Sequence, residues 1–152
     1  MVSDMFCQKF IVNDTWQLYY CEMSADQCKL LVVEDDAEIR QAMCRLLELE
    51  GYSVKHVSNG EEALQALSGN MDFGLILLDM FMPTMDGWEF LKRYEKMNLN
   101  SKVQIPVLVT TATHEGLSEV QGKVQGILKK PFSIDLLLVS VRKLLAIDYV
   151  ES

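Results

Sequence analysis

The sequence predicts a doubly wound α/β domain: a five-stranded parallel sheet with helices on both faces. Three observations carry this. From Lys29 onward, short apolar runs alternate with segments whose apolar residues recur at helical spacing. The main runs are apolar throughout, as strands covered on both faces are, rather than alternating apolar and polar. Strands and helices in strict alternation make βαβ units, whose right-handed crossovers leave few topologies.

The first run is Leu30-Leu31-Val32-Val33. Asp36 is placed to cap the helix that follows, in which Ile39, Ala42, Met43, Leu46 and Leu47 recur on one face. Gly51 ends that helix, and Ser53 to Val57 makes a second, weaker strand. Ser58-Asn59-Gly60-Glu61 reads as a capping box before a helix carrying Ala63, Leu64 and Leu67. Leu75-Ile76-Leu77-Leu78 is the third strand. A turn at Met85-Asp86-Gly87 leads into a helix with Trp88, Leu91, Tyr94 and Met97 inward. Pro106 opens the fourth strand, Val107-Leu108-Val109, and a thin helix is expected from Glu115 to Lys123, with Leu117 and Val120 inward. Gly126 to Lys129 is the fifth strand, broken by Pro131. Ser133 caps a last helix whose stripe is Ile134, Leu137, Leu138, Val141 and Leu145. This count and length fit a flavodoxin-like sheet, in which ligands bind at the carboxyl ends of the strands beside the topological switch point.

The division expected is an extension over 1–28 and one α/β domain over 29–148. The extension falls outside the repeating pattern. Phe10-Ile11-Val12, Asn13-Asp14 and Thr15 to Tyr20 suit a small hairpin with a weak turn signal. Met23-Ser24-Ala25-Asp26 also resembles a natural chain start, which would leave the extension outside the natural product.

With 152 residues, 49% of them hydrophobic, the chain has enough apolar material for one core. A net charge of -8 disfavours direct binding to nucleic acid or anionic membrane, both polyanions. Cys7, Cys21, Cys28 and Cys44 form no Cys-x-x-Cys pair, and His56 and His114 are isolated, which argues against a zinc site. So apolar a chain does not need disulfide staples, so reduced thiols and a cytoplasmic location are expected. There is no basic segment with a long apolar run at the N-terminus, and no apolar stretch of membrane-spanning length.

The polar residues that follow the strands are the chemical signal. Glu34-Asp35-Asp36 follows the first strand, Asp79 the third, Thr110-Thr111 the fourth and Lys129-Lys130 the fifth. In a parallel sheet with these strands adjacent, all of them converge on one edge. Carboxylates that close repel unless a cation is present. An all-oxygen donor set suits a hard divalent ion, and Mg²⁺ is the abundant one. An aspartate beside Mg²⁺ can attack a phosphoryl donor and become an acyl phosphate. Lys130 would offset charge on the phosphoryl oxygens, and the Thr111 hydroxyl would hydrogen-bond one of them. Taken singly, the acidic triplet is a helix start, Asp79 a turn residue and Lys130 a solvated lysine; the agreement of four strand ends favours chemistry.

The segments LLVVEDDAEIR, LILLDMFMPTMDGWEFL, IPVLVTTA and ILKKPF resemble the receiver domain of bacterial response regulators, over about Lys29 to Ala146. The resemblance implies that Asp79 is the phosphorylated aspartate. It implies that Glu34 and Asp35 serve Mg²⁺, directly or through water, with the backbone carbonyl of Phe81 as a third protein ligand. Thr111 then matches the family's switch hydroxyl and Lys130 its lysine, with Lys130-Pro131 a cis peptide. Implied partners are a sensor histidine kinase or a histidine phosphotransfer protein, and a downstream protein target. Output through protein contact or onward relay is expected, because no second domain follows Ser152. The implied activity is that of a phospho-acceptor switch, with self-phosphorylation from small donors and autodephosphorylation, rather than an enzyme. Two positions depart from the family pattern. Ile127 stands where an aromatic often couples to the switch hydroxyl, and Phe81 stands where smaller or polar side chains are common. Phe81 also speaks against a haloacid-dehalogenase-type phosphohydrolase, which carries a second aspartate there. The acidic triplet speaks against a flavin-phosphate loop.

Overall fold

The computed structural model describes residues 6–12, 15–23, 28–69, 72–99 and 104–145. Strands β1 (Phe6–Val12) and β2 (Thr15–Met23) pair antiparallel as a two-stranded sheet, with Val12 opposite Thr15. This is the expected hairpin, lengthened at both ends. The turn expected at Asn13-Asp14 lies outside the described residues, as do Ser24 to Asp26.

The remaining elements alternate: β3 (Lys29–Val33), α1 (Ala37–Leu49), β4 (Ser53–Val57), α2 (Gly60–Ser68), β5 (Phe73–Asp79), α3 (Gly87–Asn98), β6 (Val107–Thr111), α4 (Leu117–Val120), β7 (Gly126–Lys129) and α5 (Ile134–Leu145). The five strands from β3 to β7 form one all-parallel sheet in the order β4-β3-β5-β6-β7. The chain starts near the middle, winds to one edge, returns past its start and winds to the other. The switch point between β3 and β5 is where this topology opens a crevice.

Each strand side chain chooses a face by parity. Leu31, Val33, Ile76, Leu78, Val107 and Val109 face a core shared with α2 and α3, where Ala63, Phe90, Leu91 and Tyr94 lie. Leu30, Val32, Leu75, Leu77 and Leu108 face the opposite core, filled by Met43, Cys44 and Leu47 of α1 and Leu137, Leu138, Val141 and Leu145 of α5. The all-apolar runs are thus explained by two covers. Cys28 and Cys44 are free buried thiols, each pushed up to about 11 by burial, with Glu48 adding to the shift at Cys44.

The caps follow the sequence closely. Asp36 accepts from the amides of Glu38 and Ile39, Asp86 from Glu89, and Ser133 from Leu136. The second cap is displaced by one residue from the expected box. Asn59 is the cap, accepting from the Glu62 amide, and it is Glu62, not Glu61, that reaches back to the Ser58 amide at 2.9 Å.

Several inward assignments need correction. Ile39, Ala42, Met97 and Ile134 are exposed. They lie in the first or last turn of their helices or at the margin of the apolar stripe, where the helix surface turns away from the sheet. The buried face of α1 is Met43, Cys44 and Leu47. The fourth helix is also shorter than expected: four residues, where Glu115 to Lys123 was anticipated. Gly116 and Gly122 bracket it with φ of 72° and 90°, a left-handed backbone that ends a helix rather than continuing it. Among the described residues no helix is long and apolar enough to cross a membrane.

Candidate functional site

The carboxyl ends of β3, β5, β6 and β7 bring the predicted residues to one edge of the sheet. Glu34 follows β3 directly and is buried; Asp35 beside it is exposed. The guanidinium of Arg40 donates to the carbonyls of Glu34 at 2.8 Å and Asp35 at 3.1 Å, fixing this turn from α1. Nothing in strand-end reasoning singled out Arg40; its only signal was a basic residue one turn into a helix that begins with acids.

Asp79 ends β5, and its carboxylate is buried. The segment after it is held tightly. The Phe81 amide donates to Asp79 Oδ1 at 3.3 Å, and the Gly87 amide donates to the Met80 carbonyl at 2.9 Å. A Cβ on Gly87 would come within 2.7 Å of Met80 Cα, so only glycine lets α3 start this close to the strand end.

Lys130 closes the pocket from the far side of the sheet. Its Nζ is 2.9 Å from Glu34 Oε2 and 3.6 Å from Asp79 Oδ1, and the Lys130-Pro131 peptide is cis. Burial pulls the lysine down, but the bond to Glu34 and the charges of Asp79 and Glu34 outweigh it and leave its pKa raised. Burial and the neighbouring charge of Glu34 push Asp79 up to about 7, against the lowering effects of Lys130 and the Phe81 amide. Strand-end reasoning foresaw the meeting of these groups. It did not foresee that Lys130 sits closer to Glu34 than to Asp79.

Thr111 ends β6 and is fully buried. Its hydroxyl is engaged locally, donating to the Thr113 carbonyl at 3.1 Å and accepting from the Thr113 amide at 3.3 Å. Phe81 is half exposed, and its ring meets the Trp88 indole edge-on at 5.0 Å and 75°. Ile127 lies partly exposed on β7. Lys129 and His114, given no chemical role from sequence, meet at 2.8 Å on the surface.

Carboxylate oxygens of Glu34, Asp35 and Asp79 lie within 4.8 Å of one another. Around an octahedral Mg²⁺ with ligands at about 2.1 Å, neighbouring and opposed oxygens are ~3–4 Å apart, so a slight contraction or one bridging water suffices. Burial is the main cause that raises Asp79, and the charge of Glu34, which adds to it, is what such an ion would offset. The residues present fit a hard divalent cation.

The family model of the response regulator receiver domain matches residues 30–142. The chain belongs to the response regulator receiver family. This receiver domain is 39% identical over 120 residues to the transcriptional regulatory protein CpxR homolog of Haemophilus influenzae, covering 77% of this chain and 50% of that one. It is 36% identical over 124 residues to the transcriptional regulatory protein ResD of Bacillus subtilis, covering 79% and 49%. The chain therefore spans about half the length of the curated relatives it matches. Among solved structures, a Francisella response regulator receiver domain superposes with a TM-score of 0.68 at 32% identity, covering 78% of this chain and 97% of that one. The response regulator TrrA of Thermotoga maritima, solved in complex with Mg²⁺-BeF, gives 0.67 at 30%, covering 78% and 100%. The receiver fold expected from the sequence is thus observed, and the protein is a response regulator receiver domain of two-component signalling.

Proposed function

We propose that Asp79 is the phosphoryl acceptor of this receiver domain. A sensor histidine kinase or a histidine phosphotransfer protein would be the donor. The observation that carries the reading is the meeting of Glu34, Asp35, Asp79 and Lys130, from three strand ends, at one edge of the sheet. Glu34 and Asp35 would hold Mg²⁺ with Asp79, the Phe81 carbonyl serving as a further ligand. The ion, when bound, neutralises charge on the acceptor and on the incoming phosphoryl oxygens. Lys130 is within reach of both Glu34 and Asp79, so it can turn toward a phosphoryl group on Asp79 without leaving the pocket. Thr111 would have to exchange its bonds to Thr113 for one to a phosphoryl oxygen, and that exchange ties the acceptor to the β6–α4 loop.

The domain so read covers 29–148, with 1–28 peripheral to the chemistry and the output a change in protein contacts. Its site is that of a switch, without substrate turnover beyond its own phosphorylation and dephosphorylation, in a protein acting in the cytoplasm. The expectation of no nucleic-acid contact is confined to this acidic domain. Relatives twice its length are named transcriptional regulators, so the exclusion does not extend to the whole protein.

The test is incubation with Mg²⁺ and acetyl phosphate, or with Mg²⁺ and beryllofluoride, followed by intact mass and tryptophan fluorescence. A Mg²⁺-dependent phosphoryl mass that is lost in Asp79→Asn is expected. An unmodified wild type, or an Asp79→Asn variant modified to the same extent, would overturn the assignment.

A further inference from the structure

We propose that Phe81, Trp88 and Gly116 form a contact relay through which occupation of Asp79 repositions α4. The proposal rests on the reading of Asp79 as the acceptor. The relay starts at the carboxylate itself, whose Oδ1 accepts from the Phe81 amide at 3.3 Å. A group added to that carboxylate changes the acceptor that orients Phe81. The Phe81 ring rests edge-on against the Trp88 indole at 5.0 Å. Trp88 Nε1 in turn donates to the Gly116 carbonyl at 3.4 Å, near the outer limit for a hydrogen bond, so a small displacement of the indole makes or breaks it. Gly116 is the residue immediately before α4.

Three features suit this relay to moving α4 rather than merely bracing it. A Cβ at position 116 would lie 3.0 Å from Trp88 Nε1 and Cζ2, so loop and indole are fitted to each other with no slack. The α4 segment is flanked by left-handed glycines at 116 and 122, and it has no side-chain cap, unlike α1, α2 and α3. The charged and polar pairs tying its surroundings down are exposed: Lys123 to Glu95 at 3.6 Å and Lys129 to His114 at 2.8 Å. Exposed pairs of this kind contribute little. Val120 is buried, with Leu117 and Val124 packed beside the core, so the segment is anchored through one short apolar face while its ends are held only by local backbone bonds. Coupling between sites needs an element with two arrangements that both sites bias. This short glycine-bounded helix is such an element, and the aromatic pair is the contiguous path to it.

The relay is tested by amide NMR of the full chain with and without Mg²⁺ and beryllofluoride, using ¹⁹F signals to confirm the adduct. Wild type is compared with Trp88→Leu, Trp88→Phe and Gly116→Ala. All three variants retain Glu34, Asp35, Asp79, Thr111 and Lys130. The expected result is an adduct in every protein, with large shifts of the Leu117–Val120 amides in wild type that shrink to a minor fraction in Trp88→Leu and Trp88→Phe. The Met80 amide should respond in all of them. Trp88→Leu removes the ring contact with Phe81 and the N–H together, whereas Trp88→Phe keeps a smaller ring beside Phe81 and loses the N–H with the rest of the indole. Gly116→Ala should displace the indole already in the free protein. Full-sized shifts at Leu117–Val120 in both Trp88 variants, with the adduct present, would overturn the relay and leave the acceptor assignment standing. Failure of the wild type to form any adduct would overturn both, by removing the trigger.

Discussion

Burial, and after it the charge of Glu34, push Asp79 up to about 7 from the 3.8 of a free aspartate. An acid whose folded pKa exceeds its unfolded value binds more protons when folded, so stability falls as pH rises between those two values and stays lower above them. Metal-free protein should therefore be less stable above pH ~8 than near pH ~4–5 as far as this group is concerned, and Asp79→Asn should recover about 1–3 kcal/mol at the higher pH. Urea denaturation of both proteins at the two pH values, without Mg²⁺, checks this; an equal gain at both would contradict it. Removing the lysine works in the other direction. Lys130→Met leaves Glu34 buried without its cation and should destabilise by about 1–3 kcal/mol. If Lys130→Met denatures at the same urea concentration as wild type, the 2.9 Å pair contributes nothing. Phe81, two residues past the proposed acceptor, is a bulky ring where water would approach an acyl phosphate on Asp79. Phe81→Asn should speed loss of the phosphoryl group several-fold, followed by intact mass over time, and an unchanged rate would exclude the ring as a barrier. The sequence disclosed which of these residues would meet, because strand ends in a parallel sheet are placed by register. It did not disclose how they would pair. Whether Lys130 bonds Glu34 or Asp79, and whether the Phe81 ring finds Trp88, depends on loop geometry that no periodicity encodes.

At the scale of elements, the helices that begin with Asp or Asn were placed well and the one that begins with glycine was not. Asp36 and Asp86 accept amide hydrogens where a helix lacks partners of its own, so a single residue marks each start. Asp86→Ala should cost about 1 kcal/mol in thermal or urea unfolding, because α3 loses its cap and with it the tether of the loop behind Asp79. α4 had an apolar pair at the right spacing, Leu117 and Val120, but glycines that adopt positive φ on either side override that pattern. Hydrogen exchange offers a direct check. Amides of Leu117 to Gln121 should exchange far faster than those of α3 and α5, whose buried faces hold them to the sheet. Protection in α4 equal to that in α3 would mean that four residues and two glycines make a firmer helix than their hydrogen bonds suggest.

At the scale of the molecule, the order β4-β3-β5-β6-β7 was legible because five apolar runs with helical segments between them admit few right-handed windings. The two-sided core was legible for the same reason, since Leu30 and Leu31 can both be buried only if both faces are covered. The helix margins were less so, because Ile39, Met97 and Ile134 obey the period of an inward stripe and yet sit where the helix has curved past the sheet. One contact spans nearly the whole assembly. Glu34 and Lys130 are 96 residues apart in sequence and 2.9 Å apart in space. A chain still emerging from the ribosome, or one cut before β7, has Asp79, the proposed acceptor, but not the lysine beside it. Contacts of such long range form late, after the local helices and first strand pairs. On the reading of Asp79 as the acceptor, the site is complete only once the last strand is seated, and a half-made copy lacks the cation that balances Glu34.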